Sequence, residues 1–179
     1  IDKLVPLNPY GDSKNDFDKW VLTQTEFPPF WAGLKFFNVY GPNEFHKGRM
    51  ASVIFHAFKQ IRETEGMKLF RSHNPEYTDG GQLRDFVYVK DIILANIYAF
   101  ENYGLTSGKW FEVGSGEARG FEDKLDIMNI PYTYHPEDII PKGYQFYTCS
   151  NKDKWMEGWK PQYTLETGLR DYVEYLEEQ

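Results

Sequence analysis

Tyr10 and Lys14 lie four residues apart, a spacing that puts both on one face of a helix. An ammonium held beside a phenol favours the phenolate, and so proton exchange near neutral pH. Read alone, the spacing occurs often by chance, and an ordinary Tyr beside a solvated Lys is the commoner case. Its surroundings add weight. Downstream runs Phe37-Asn38-Val39-Tyr40-Gly41-Pro42, an apolar segment ending in a loop. Open α/β sheets bind ligands beyond the carboxyl ends of their strands. His46-Lys47-Gly48-Arg49-Met50 then leads into a helix start. Lys47, Arg49 and the free N–H groups of that helix suit an anion, although a basic loop capping a helix reads equally well. Arg84-Asp85 opens an apolar run. Arg84 could clamp a phosphate with two N–H groups, or simply pair with Asp85. Gly114-Ser-Gly116-Glu-Ala-Arg-Gly120 imitates a dinucleotide fingerprint. Its spacing is wrong and no strand-borne acid follows at the required distance, so a turn is the better reading. His46, His56, His73, His135 and Cys149 show no metal-ligand spacing.

Those residues need elements to hold them. Asn8-Pro9 predicts a helix start, with Asn as cap and Pro at the first helical position, and Pro28-Pro29 bounds its far end. Trp31 to Phe37 predicts a buried strand, and Asn38 to Gly48 a loop. Met50, Val53, Ile54, Ala57, Phe58 and Ile61 follow helical spacing, which predicts a helix from Gly48 to about Glu65. Further strands are expected at Lys68–Arg71, Arg84–Val89, Trp110–Val113, Tyr132–Tyr134 and Tyr144–Thr148. Further helices are expected at Asp91–Tyr103, Phe121–Asn129, Lys152–Trp159 and Leu165–Glu178. Alternating strands and helices predict an α/β fold with parallel strands. Only about three strands read as fully buried, where a doubly wound sheet has about six.

The 179 residues suffice for one core, and the net charge of -7 argues against nucleic acid or anionic membrane as partners. No apolar run reaches the roughly 20 residues of a membrane span. One cysteine cannot form an internal disulfide and suits a reducing, cytoplasmic setting. The opening Ile1-Asp2-Lys3 reads like the middle of a longer protein.

Taken in order, Asn8-Pro-Tyr-Gly-Asp-Ser-Lys14, Leu34-Lys-Phe-Phe-Asn-Val-Tyr-Gly-Pro42, His46-Lys-Gly-Arg-Met-Ala-Ser-Val53, Leu83-Arg-Asp-Phe-Val-Tyr-Val89 and Gly143-Tyr-Gln145 resemble the extended short-chain dehydrogenase/reductase superfamily of nucleotide-sugar enzymes. Within it, the His-Lys-Gly-x-Met-Ala-Ser run is most similar to the ADP-L-glycero-D-manno-heptose 6-epimerase family. The resemblance covers nearly the whole chain but only the C-terminal part of a complete enzyme. It implies the C-terminal part of a Rossmann-type doubly wound parallel sheet interleaved with a small α/β substrate-binding domain. Residues 1–45 would end the Rossmann domain and 46–82 would bind substrate. Residues 83–118 would return to the sheet, and 119–179 would bind substrate again. The resemblance implies Tyr10 as catalytic acid/base, Lys14 as ligand of the nicotinamide ribose and Lys47 as second proton carrier. Val39 would touch the cofactor, together with Lys14 and Lys47. Asn38, Arg49, His56, Phe70, Arg71, Ser72, His73, Arg84 and Tyr144 would line the ADP-sugar site. The implied reaction inverts C6 of the heptose through oxidation and reduction with NADP, NAD being the alternative, in a homo-oligomer when complete. The chain departs from the family at Arg49, where some relatives have a small hydroxyl residue, and at the basic Arg71-Ser72-His73. The loop 74–81 reads as long and 121–131 as short. The Gly-rich pyrophosphate loop and the Ser/Thr expected upstream of Tyr10 do not occur, so the chain by itself is expected to bind NADP poorly and not to turn over. Two other readings stay open: another nucleotide-sugar epimerase or dehydratase, and a non-catalytic remnant that binds nucleotide-sugar.

Overall fold

The computed structural model describes residues 4–64, 66–137, 140 and 144–179. The first helix, α1, spans Pro9–Thr23. The Asn8 side chain accepts from the Gly11 N–H at 2.9 Å, and Pro9 fills the first turn as expected. The helix ends short of Pro28, because Gln24 is extended and both it and Thr23 turn their side chains onto the Trp20 carbonyl.

Strand β1 (Ala32–Phe36) runs parallel to β5 (Lys109–Val113), with Gly33 opposite Trp110. A Cβ on Gly33 would sit 1.8 Å from the Trp110 ring, so glycine is what allows that ring to lie on the sheet. Lys35 of β1 pairs with the buried Asp18 and thereby ties α1 to the sheet. Among the described residues the second edge of β1 has no partner strand.

Asn38–Tyr40 is a strand, β2, where the sequence suggests a loop. It pairs in parallel with β4 (Leu83–Tyr88), and its Val and Tyr suit a pleated, half-buried surface. After β2 comes a 3₁₀ turn, Phe45–Met50, and helix α2 begins at Val53 and ends at Thr64. The expected helix start at Gly48 is wrong because Gly48 has φ 52 and ψ -125, which interrupts the helical path.

Strand β3 (Met67–Leu69) pairs with β7 (Tyr132–Tyr134), the latter where expected. Helix α3 covers Val89–Glu101, α4 Tyr103–Thr106 and α5 Phe121–Ile127. Strand β6 (Ala118–Gly120) runs antiparallel to β4, an exception to the expected parallel pattern. Tyr144–Thr148 is not a strand; Tyr147 alone bridges to Leu83. Only Lys152–Lys154 of the expected Lys152–Trp159 helix forms, as a 3₁₀ turn. Trp155 is extended and Gly158 has φ 82, while Met156 and Trp159 leave the helical path to fill the core beside Val87 and Ala95.

The last helix, α6, spans Leu165–Glu177 behind a reciprocal Thr164–Thr167 cap. Its stripe of Leu165, Leu169, Tyr172 and Leu176 is buried against Tyr40, Ile54, Phe55, Phe86 and Tyr88. At about 1.5–3 kcal/mol for each large apolar side chain buried, this cluster anchors the end of the chain onto β2 and β4.

Candidate active site

Tyr10 and Lys14 occupy the first turns of α1, and Tyr10 is 69% exposed. The Lys14 ammonium lies 5.2 Å from the centre of the Tyr10 ring. Both line a groove of about 820 Å³ between α1 and β1, walled by Phe17, Trp20, Trp31 and Trp110. All five residues of β1 line it, out to Phe36 at the carboxyl end, together with Trp110 of β5. A phenol and an ammonium on the wall of an apolar groove match the hydroxyls and flat faces of a nicotinamide riboside. Among the described residues no glycine-rich loop offers N–H groups to a pyrophosphate there, so the groove fits that part of a dinucleotide only.

Residues following β1 and β5 converge with β4. Asn38, exposed, follows β1 and stands in register with Phe86. Beyond β5, Gly116 takes φ 72 in a turn, as its sequence suggests. Asp85, fully buried, holds that turn. It accepts from the N–H and hydroxyl of Ser115 at 2.6 and 2.7 Å, from the Gly116 N–H at 3.0 Å, and from the N–H and hydroxyl of Ser150 at 2.9 and 2.6 Å. The reading of Arg84 and Asp85 as a simple ion pair is therefore replaced. Neighbours on a strand point to opposite faces, and Asp85 serves the loops while Arg84 turns the other way.

Arg84 is buried, and its N–H groups reach the carbonyls of Leu83 and Gln145. Its guanidinium sits 4.8 Å from the centre of the Tyr144 ring. Burial pushes the guanidinium down from its usual range, and Tyr144 opposes that shift. Burial likewise pushes the Tyr144 phenol up, with Arg84 opposing. Around this cation the rings gather. Phe70 meets Tyr144 edge-on at 6.1 Å and stacks with His135 at 5.8 Å. Phe146 contacts Tyr144, His73 and Tyr77 at 5.7, 5.2 and 5.4 Å. A cation resting on carbonyl dipoles and a ring face retains its pull on a phosphate, and flat rings beside it suit a base.

The structure thus joins Phe70, His73, Arg84 and Tyr144, adding Tyr77, His135 and Phe146, which sequence reasoning misses. Arg71 and Ser72 are committed locally. Arg71 pairs with Asp79 at 2.8 Å and donates to the His135 carbonyl, and the Ser72 N–H donates to Asp79. Lys47 and Arg49 are exposed on the Phe45–Met50 turn. His56 is half-buried on α2 beside Phe55. Val39 is half-buried and packs against the cluster around Val87. Gly143 lies outside the described residues.

The profile of the NAD dependent epimerase/dehydratase family matches residues 1–114, and the chain belongs to that family. Its likeness to curated proteins is narrower. It is 42% identical to the ADP-L-glycero-D-manno-heptose-6-epimerase of Fusobacterium nucleatum, across 97% of this chain and 56% of that protein. It is 43% identical to the enzyme of the same name from Nitratidesulfovibrio vulgaris, with the same shares covered. The crystal structure of the Helicobacter pylori ADP-L-glycero-D-manno-heptose-6-epimerase superposes at a TM-score of 0.78 and 30% identity, over 98% of this chain and 53% of that one. The fold is therefore Rossmann-like, and the chain spans just over half the length of these relatives.

Proposed function

We propose that this chain supplies the C-terminal part of an ADP-glycero-manno-heptose 6-epimerase, with NADP as its dinucleotide. The observation that carries the reading is the Tyr10–Lys14 pair on the wall of the groove beside β1. The choice of an ADP-heptose rests on the likeness to the two bacterial enzymes of that name. The chemistry that the dinucleotide supplies when bound is removal of hydride from C6 and its return to the other face. Tyr10 takes the proton of the C6 hydroxyl as the carbonyl forms. Lys14 grips the ribose and holds positive charge beside the phenolate. Once the carbonyl has turned over in the site, the ammonium of Lys47 returns a proton to the oxygen. Two carriers on separate segments, α1 and the turn after β2, serve the two faces. Asn38 contacts the sugar. Arg84 holds the diphosphate bidentately, and the rings around it hold the base. Arg49, His56, Phe70–His73 and Tyr144 are assigned to the substrate side by the likeness to the same two enzymes.

The test is turnover by this chain joined to the remaining amino-terminal portion of the F. nucleatum relative. Conversion of ADP-glycero-manno-heptose, with UDP- and dTDP-hexoses neither converted nor competing, supports the reading. Preference for a UDP- or dTDP-sugar refutes it. Tighter binding of NAD than of NADP would refute the choice of dinucleotide.

A further inference from the structure

The turn that carries Lys47 is exposed throughout, and its own backbone is interrupted at Gly48. Within it, the Phe45 ring meets Phe55 at 5.2 Å and Tyr175 at 6.4 Å, and the Lys47 N–H donates to the Glu44 carbonyl at 2.9 Å; the rest of its order comes from its two ends. Glu44, just before it, is 4% exposed. One carboxylate oxygen accepts from the Gly41 N–H at 3.2 Å, the Ser52 hydroxyl at 2.7 Å and the Tyr172 hydroxyl at 3.1 Å. The other accepts from the Ser52 N–H. Gly41 precedes the turn, Ser52 follows it, and Tyr172 belongs to α6. One buried carboxylate therefore ties the two ends of the segment together and fastens both to the last helix. Ser52 also passes the constraint on, because its hydroxyl accepts from the Phe55 N–H at 3.3 Å in the first turn of α2. Gly41 itself has φ 141 and lies against Val89 and Tyr88, so the entry to the turn cannot move freely.

We propose that Glu44 is the positioning residue for Lys47: it closes the 41–52 segment into a fixed loop whose tip holds the ammonium in place. The use of that ammonium as a proton carrier rests on the function proposed above; the closure of the loop does not.

The test uses trypsin under native conditions on the 179-residue chain, reading cleavage after Lys47 and Arg49 against cleavage at all other Lys and Arg. Glu44→Ala is expected to raise cleavage at those two bonds at least tenfold while leaving the others unchanged. Tyr172→Phe, which removes one of the four donors, is expected to give a smaller rise at the same two bonds, and serves if the Ala variant does not fold. Unchanged cleavage at Lys47 and Arg49 in the folded variants, or an equal rise at every site, would overturn the proposal. The same substitution in the completed enzyme separates the two claims. A fall in kcat of tenfold or more with KM held within twofold agrees with a misplaced Lys47. Loosened loop with unchanged kcat would leave Glu44 as the closure and refute Lys47 as a proton carrier.

Discussion

Asp85→Ala tests the organisation of the site from the inside. The substitution removes the acceptor of three backbone N–H groups and two hydroxyls. Not all five are stranded. The Gly116 N–H also donates to the Ser150 hydroxyl at 3.0 Å, and the Ser115 hydroxyl also reaches the Glu117 carbonyl at 3.2 Å. The Ser150 hydroxyl can rotate. That leaves the N–H groups of the half-buried Ser115 and the buried Ser150, and each donor left without a partner costs about 1–3 kcal/mol. The expected loss is about 2–6 kcal/mol, a large share of the roughly 5–15 kcal/mol that stabilises a domain. With a urea slope of about 2 kcal/mol/M, a mid-range loss of about 4 kcal/mol moves the midpoint down by about 2 M. Equilibrium urea unfolding of the two proteins, followed by tryptophan fluorescence, measures it. A shift below about 0.5 M with an unchanged slope would mean less than about 1 kcal/mol. It would refute Asp85 as the hub of these loops.

Three further outcomes follow from particular contacts. Lys124 is 2% exposed, with its ammonium 3.6 and 4.0 Å from the centres of the Phe86 and Phe121 rings and 2.8 Å from the Gly120 carbonyl. Burial, helped by Arg84 and Arg119 and opposed by Asp123, holds Lys124 well below the usual lysine range. Between that lowered value and the ordinary one the unfolded chain binds more protons, so Lys124 makes stability rise with pH. Lys124→Met is therefore expected to be the more stable protein, with a gap in thermal midpoint that is widest at low pH and closes toward the ordinary lysine value; a constant gap would contradict this. Gly168→Ala should destabilise, although alanine gains about 1 kcal/mol in a helix interior. Its Cβ would lie 2.3 Å from the Tyr40 hydroxyl and 3.1 Å from the Tyr88 ring, and overpacking of about 1–3 kcal/mol outweighs the gain; a raised melting temperature would refute the tight seat of α6. On the proposed function, the 179-residue chain titrated with NADP should bind at about 1 mM or weaker, since its groove would hold only part of a dinucleotide; micromolar binding by calorimetry would contradict that.

What the sequence reveals is mainly local. The cap at Asn8 and the α6 stripe follow from neighbours within a turn, and both appear as read. Asn38–Tyr40 is too short to be recognised as a strand without β4 beside it. The start of α2 is misread because Met50 continues the apolar spacing while Gly48 breaks the backbone. Asp85 is misassigned because its partners lie about 30 and 65 residues away. His135 and Phe146 carry no motif. They join Phe70 and Tyr144 only because β3 pairs with β7 and Leu83 bridges to Tyr147. Arg71 is readable as a cation but not as one committed to Asp79.

The most direct measurement is the fate of C6 in ADP-glycero-manno-heptose treated with this chain joined to the amino-terminal portion of the F. nucleatum relative. Followed by proton NMR with deuterium at C6, the proposed function predicts inversion at C6 with the label retained. It also predicts that Tyr10→Phe slows inversion by about 100-fold or more. No inversion by the folded, NADP-bound protein, or inversion at an undiminished rate in Tyr10→Phe, would contradict it.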